Sequence, residues 1–263
     1  VSGLRRWGGY VALTVVFAVA CGLLSWWQWN RRAEAVERID RIEANYDAAP
    51  VPLNDLVPEV DDPARAAEWH PVELRGAYLA DEQLLVRNRP RNGLAGYEVL
   101  VPLLLEDGRV FVVDRGWIPA GDDPEAPASV PAPPAGDVVV VARLRAGEPE
   151  IAGRTAPAGQ LATIHLPTVA AALDAPVYTG MYGLVVSEDP GVAESPLPNF
   201  RPSLDEGSHL SYALQWIAFG VLAFVGLAWA VRRERKLARG EQVPPKRRER
   251  DAEIEDALLD AQG

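Results

Sequence analysis

The chain of 263 residues contains one cysteine, one methionine, two lysines and three histidines. With Cys21 alone, neither an intrachain disulfide nor a two-cysteine metal site can form. Cys21 and the single Met181 also exclude the thiol and thioether ligand sets of the usual copper carriers. His70, His165 and His209 are far apart in sequence, and nothing local marks a metal site. G-x-S-x-G, Walker, H-E-x-x-H and C-x-x-C motifs are all missing. The carboxylates are scattered, and no pair stands out for acid–base work. The sequence therefore reads as that of a protein that is not an enzyme. A net charge of −11 argues against a nucleic-acid partner.

Charge itself is absent from two stretches, residues 7–29 and 210–231. Each exceeds the roughly 20 apolar residues that cross a bilayer. Both carry the aromatic belt of the headgroup boundary: Trp7, Tyr10, Trp26, Trp27 and Trp29 on the first, Tyr212, Trp216 and Trp229 on the second. The charge distribution sets the orientation. Residues 31–209 hold 15 Arg and no Lys against 29 Asp and Glu, whereas residues 232–250 hold nine Lys and Arg against three Glu. The basic end of the second span is expected to be cytoplasmic, which puts Arg5, Arg6 and both termini on that side. The expected protein is thus a two-pass protein of the cell membrane, with residues 31–209 extracytoplasmic and lipid around its spans. A competing reading takes residues 1–20 as a signal peptide, with Ala18 to Ala20 as an A-x-A site and Cys21 as a lipoprotein cysteine. The apolar run continues nine residues past that point, which favours a span.

Beyond the first span, residues 31–47 repeat apolar side chains at Val36, Ile39 and Ile42, which predicts an amphipathic stalk helix. A Pro-rich connector over 49–63 has room for one turn of helix. The domain expected over 66–205 reads as about six strands. They are "HPVELRGAYL", "QLLVRNRP", "GYEVLVPLLL", "RVFVVDRGWIP" after the hairpin signal Asp107-Gly108, "DVVVVARLRAG" and "VYTGMYGLVVSE". A Pro-initiated helix, "PTVAAALDA", precedes the last. Hairpin-length gaps predict a mostly antiparallel, α+β, barrel-like domain. The second span over 210–231 and a charged tail over 232–263 complete the order.

Two features of that domain invite a functional reading. If "VRNRPRN" is a strand, Arg87, Arg89 and Arg91 share one face. That face either pairs with nearby carboxylates or meets an anionic group of a partner, a lipid or a propionate. In "VVDRGWIP", Asp114 and Arg115 read as a buried ion pair closing the domain.

Four blocks resemble the surfeit locus protein 1 family. "LLSWWQWNRR" is similar to its L-G-x-W-Q-x-x-R-R signature through Leu24, Trp27, Gln28, Arg31 and Arg32, with Ser25 in place of the usual Gly. "VRNRPRNGLAGYEVLVPL" resembles its N-x-P…G-Y-x-V-x-x-P-L block, and "VFVVDRGWIP" its V-D-R-G-W-[VI]-P motif. "HLSYALQWIAFG" resembles the H-L-x-Y-x-x-Q-W-[FY] opening of its second span. A Trp common in the family is absent near "GQLATIHLP", and residues 119–200 carry no site here.

The resemblance implies a non-enzymatic factor that assembles or stabilises haem–copper cytochrome c oxidase, around insertion of haem a into subunit I. Its partners would be oxidase subunits and a respiratory supercomplex. The alternative is a permanent accessory subunit of that supercomplex, binding protein and lipid without a cofactor. A haem handler needs an iron ligand, an apolar slot and groups for the propionates. His209, Tyr212 and Trp216 lie along one helical stripe, with His209 the candidate axial ligand and its haem iron the one metal expected. Arg31, Arg32 or the Arg87–Arg91 segment would meet the propionates. Against this stands the reading of His209 as an interfacial anchor with Trp216 facing lipid. Trp27, Gln28 and Gln215 are expected to serve partner or helix packing. Gln28 and Gln215 lie at similar depth and should sit on or near the interface between the spans.

Overall fold

The computed structural model describes residues 2–121, 126–127 and 129–240. Residues 241–263 of the charged tail and 122–125 of the Pro-rich run lie outside them. In chain order the elements are helix α1 (Ser2–Asn45), strand β1 (Val51–Pro52), the single turn α2 (Leu53–Leu56), β2 (Pro71–Tyr78) and β3 (Leu84–Val86). β4 (Gly96–Leu105), β5 (Val110–Pro119), β6 (Asp137–Ala146), β7 (Gln160–Leu161), α3 (Leu166–Ala170), β8 (Met181–Asp189) and α4 (His209–Ala238) follow. The chain forms two compact units, Val36–Asp205 and the combination of Val1–Ala35 with Glu206–Gly263.

The larger unit is a closed barrel. The strands run β2-β6-β8-β5-β4 in the sheet, and β4 pairs back onto β2 to complete the circle. Closure leaves no edge strand among these five. All the pairings around the circle are antiparallel except β5–β8. β3 is a short addition on β4, and β1 and β7 are two-residue parallel additions. The β4–β5 hairpin turns where Asp107-Gly108 predicts it: Gly108 has φ +83, and its amide donates to the Leu105 carbonyl.

Inward side chains alternate along β6 as Val138, Val140, Ala142 and Leu144, and along β4 as Tyr97, Val99, Val101, Leu103 and Leu105. Together with Phe111, Val113 and Tyr178 they fill the barrel. β4 and β5 are covered on the outside as well. There Leu100, Val110 and Val112 pack against Ile164, Leu166 and Val169 of α3 and its approach. The two strands therefore read as continuous apolar runs rather than as alternations.

The expected stalk is no separate helix, because α1 runs unbroken to Asn45. Its last turns belong to the barrel unit, where Ile39 and Ile42 are buried. Asn45 Nδ2 donates to the carbonyls of Ala66 and Glu68 at 2.8 and 2.9 Å. The neighbouring Tyr46 ring is met by two guanidinium groups, Arg143 at 3.8 Å and Arg201 at 4.3 Å from its centroid.

α1 and α4 are both long and apolar enough to cross a membrane. Their outward faces carry large apolar side chains in the open, such as Leu13, Val16, Trp26, Leu222 and Val225. Soluble monomers rarely leave so much contiguous apolar surface bare. The pair is compatible with a two-pass membrane protein.

Candidate functional site

The helix pair has a seam. Within residues 8–34 of α1 the least exposed positions are 14, 18, 21, 25, 28 and 32; within residues 209–230 of α4 they are 209, 213, 216, 220, 223, 227 and 230. Alternating steps of three and four are the spacing of knobs-into-holes packing. Small residues bring the backbones close. Ala213 and Cys21 are buried, and a Cβ on Gly220 would stand 3.6 Å from that of Cys21.

Three polar contacts cross this seam at one end. Ser25 Oγ donates to the Ala213 carbonyl at 3.0 Å. His209 Nδ1 lies 2.9 Å from Gln28 Oε1. Arg32 pairs with Glu206 at 2.9 Å. An amide oxygen only accepts, so Nδ1 is the donating nitrogen of this contact and Nε2 takes no part in it. Gly207 has φ +73 and no side chain; a Cβ there would lie 3.5 Å from Nε2. Ser25, the departure from the family signature, remains small enough for the seam and adds a bond of its own.

The expected stripe divides. His209 and Trp216 face the seam, whereas Tyr212 is exposed. The expected place of both glutamines on or near the interface is corrected for Gln215. Gln28 pairs with His209, and Gln215 lies exposed, because the seam passes through 213 and 216 and skips it. Arg31 is held by Glu34 at 3.1 Å, with its guanidinium 5.9 Å from the half-exposed Trp27 ring.

In the barrel, the arginine strand face is also corrected. β3 stops at Val86, and Asn88 and Asn92 take positive φ, so the three arginines share no face. Arg89 stands between two carboxylates, Glu98 at 2.8 Å and Glu148 at 2.6 Å. One cation cannot satisfy both equally. Burial raises the Glu98 carboxyl above its ordinary value. Burial also works against ionising Glu148, but the hydrogen bonds from Arg89 and the Ile164 amide prevail and hold it low. Arg91 donates to the Pro198 carbonyl at 2.7 Å and covers Phe200 at 4.0 Å. Arg87 lines a shallow cleft with Asn88 and Tyr97.

The expected Asp114–Arg115 pair is replaced by two separate clasps. β4 and β5 pair Val99 with Gly116 and Leu100 with Asp114, so Arg115 is the extra residue of a β-bulge. Its guanidinium turns to Glu188 of β8, with Nε and Nη2 at 2.8 and 3.0 Å from the two carboxylate oxygens. Tyr78 donates to the same carboxylate at 2.8 Å. Asp114 is fully buried and accepts from the Gly116 amide and from Asn199 Nδ2. Burial, reinforced by Glu98, pushes its carboxyl well above the ordinary range.

These residues hold the segment that leads towards α4. Trp117 and Leu197 exchange both backbone hydrogen bonds at 2.8 Å, Asn199 reaches Asp114, and Arg91 reaches Pro198. Farther along, Arg201 pairs with Asp47 at 2.7 Å, beyond the end of α1. Of the partners involved, Glu188, Leu197, Asn199 and Glu206 carry no signal in a single sequence. Only the spacing of Cys21 and Ser25 against Ala213 and Gly220 was there to be found.

Fold and site together define a class: a closed β-barrel inserted between two apolar helices, with its buried polar groups spent on clasps. The chain belongs to the SURF1 family, whose model matches residues 15–221. It is 33% identical over 266 aligned residues to SURF1-like proteins of Mycobacterium bovis and Mycobacterium tuberculosis, covering 98% of this chain and 95% of each relative. It is also 29% identical over 119 residues to the cytochrome oxidase assembly protein SHY1 of Saccharomyces cerevisiae, covering 43% of this chain and 30% of that protein.

Proposed function

We propose that this chain is a membrane-bound assembly factor for cytochrome c oxidase, acting without catalysis of its own. The observation that carries the reading is the family match across both units, together with the likeness to a yeast protein named for oxidase assembly. The bare apolar faces of α1 and α4 support residence in the cell membrane, and the basic run after residue 231 supports a cytoplasmic position for both termini. The barrel then works outside the cytoplasm, where it steadies an oxidase intermediate around maturation of subunit I.

Haem a is the cargo this reading suggests. The residues fit it in part. His209 has its Nδ1 proton engaged by Gln28, as metal-binding imidazoles usually do with a neighbouring acceptor, and Nε2 is left for an iron. Arg31 and Arg32 are held by carboxylates in exposed or half-exposed pairs, which are weak enough for propionates to displace. The seam offers no slot between the helices beside Cys21 and Gly220. His209→Ala protein made alongside haem a should lose occupancy and its absorption bands; unchanged occupancy and spectrum remove haem from the proposal.

The assembly role has its own test. Cells lacking the gene should show reduced oxidase activity and haem a absorbance in membranes, restored by the intact gene. Normal oxidase in its absence refutes the role. Retention of one copy per mature oxidase would replace it by that of a resident subunit of the respiratory supercomplex.

A further inference from the structure

Ser25, Gln28 and Arg32 make their contacts at one end of the helix pair. Towards the other end both helices line a groove of about 590 Å³. Its lining is mostly apolar, with Leu13 beside Thr14 on α1 and Gly226, Leu227 and Ala230 on α4, and nothing stands within 4 Å of where a Gly226 side chain would begin. Its rim is aromatic, with Trp7 and Tyr10 edge to face at 5.7 Å on one side and Trp229 on the other. Arg233 and Glu234 also line the groove, and the Arg233 guanidinium lies 5.3 Å from the centre of the Trp229 ring.

We propose that this groove binds one anionic glycerophospholipid, with its phosphate on Arg233 and its upper acyl chain against the apolar floor. The inference rests on the membrane reading above and goes beyond it in naming a specific lipid class and site. Charge selects the occupant. Residues 232–239 carry Arg232, Arg233, Arg235, Lys236 and Arg239 against the single Glu234. A cationic cluster at the cytoplasmic end of a span attracts anionic headgroups. An apolar floor alone would suit any acyl chain, and a basic rim alone any anion. Their junction in one cleft, bounded by rings that prefer the headgroup boundary, fits an amphiphile with a negative head. A helix of a partner protein would fill the floor but leave the cationic rim unmatched.

The test uses the full chain, purified in mild detergent, stripped of lipid and offered phosphatidylglycerol or phosphatidylcholine, with retained lipid counted by native mass spectrometry. We expect one phosphatidylglycerol per chain, retained at least tenfold over phosphatidylcholine. Trp229→Ala and Arg233→Gln should each abolish that preference, while Arg38→Gln, on an exposed position of α1 away from the groove, keeps it. Equal retention of the two lipids, or a preference that survives both groove variants, overturns the proposal. So does a lipid-free dimer that Trp229→Ala dissociates, which would assign the groove to a second copy. Failure of the membrane reading is seen separately, as protein that washes from cell membranes in high salt and carbonate.

Discussion

Gly116 sits at the centre of the D-R-G-W motif, and its replacement by alanine tests whether that motif is a clasp. Its φ is +129, a conformation that costs a residue with a side chain about 1–3 kcal/mol. An added Cβ would also stand 2.4 Å from the Leu197 carbonyl oxygen and 3.2 Å from Pro196 Cβ. A carbonyl in a paired backbone cannot swing aside as a side chain can. The Leu197 segment must therefore move off, and the two backbone bonds between Trp117 and Leu197 go with it, each worth about 1 kcal/mol net. Together these give a loss of about 3–5 kcal/mol, or a Tm lower by roughly 10 °C for a unit of this size. Gly136→Ala separates the two causes. Gly136 has φ +76 with nothing within 4 Å of its absent Cβ, so that variant carries backbone strain without a clash. Thermal melting of full-length protein in detergent, combined with hydrogen exchange at the Trp117 and Leu197 amides, reads both quantities. If Gly116→Ala costs no more than Gly136→Ala and the Leu197 amide stays protected, the clasp is not what the motif provides.

Three further outcomes follow from the same geometry. Arg115→Met leaves the buried Glu188 carboxylate without its cation, since the two side chains are 1% and 7% exposed; a loss of about 3–5 kcal/mol is expected in denaturant titration, with Arg115→Met/Glu188→Leu recovering most of it. The raised Asp114 carboxyl binds its proton more tightly folded than unfolded, so it stabilises below its unfolded pKa and that benefit is lost as pH rises towards the folded value. Asp114→Asn should therefore flatten the fall in stability from acid to neutral pH, and an unchanged slope would place that titration elsewhere. Ser25→Ala removes the hydroxyl that bonds the Ala213 carbonyl and should cost about 0.6 kcal/mol, whereas Ser25→Leu should part the helices, which crosslinking between cysteines placed at 22 and 217 can follow.

The strands were legible where turn chemistry and burial agreed. Asp107-Gly108 marked the β4–β5 hairpin, and the alternation in "DVVVVARLRA" marked β6. "VRNRPRN" misled because arginines at every second position imitate a strand pattern, while Asn88 and Asn92 in fact bend the chain with positive φ. Asp114 and Arg115 misled for another reason. Adjacent opposite charges invite pairing, but a bulge turns the guanidinium to a carboxylate 73 residues away. No local pattern announces a partner at that distance, because barrel closure alone brings β8 beside β5. The helix seam was half legible. Charge-free length predicted two helices, and depth predicted that Gln28 faces a partner. Depth along an axis does not fix the angle around it, so Gln215 was assigned to the same interface although the residues on either side of its register, 213 and 216, take that place.

The polar contacts of the seam explain why two apolar helices carry a histidine, a glutamine and an arginine at one end. Each contact is worth little: exposed ion pairs contribute about 0–1 kcal/mol, and hydrogen bonds between membrane helices about 0.6 kcal/mol. Apolar packing by small residues holds a hairpin equally well in several registers. The three contacts run in strict antiparallel order, Arg32 with Glu206, Gln28 with His209 and Ser25 with Ala213, so a slip by one turn breaks all of them at once. Their sum is small as stability but large as a difference between registers, which is how a buried polar group specifies one arrangement. The same bond that fixes the register fixes the imidazole's proton on Nδ1. Gln28→Leu therefore separates two roles that His209→Ala would confound. If His209 only sets register, Gln28→Leu and His209→Leu should show the same altered crosslinking pattern, and the double variant should add nothing. If Nε2 also receives a ligand, His209→Leu should lose that ligand's absorption entirely, while Gln28→Leu should keep it with shifted bands.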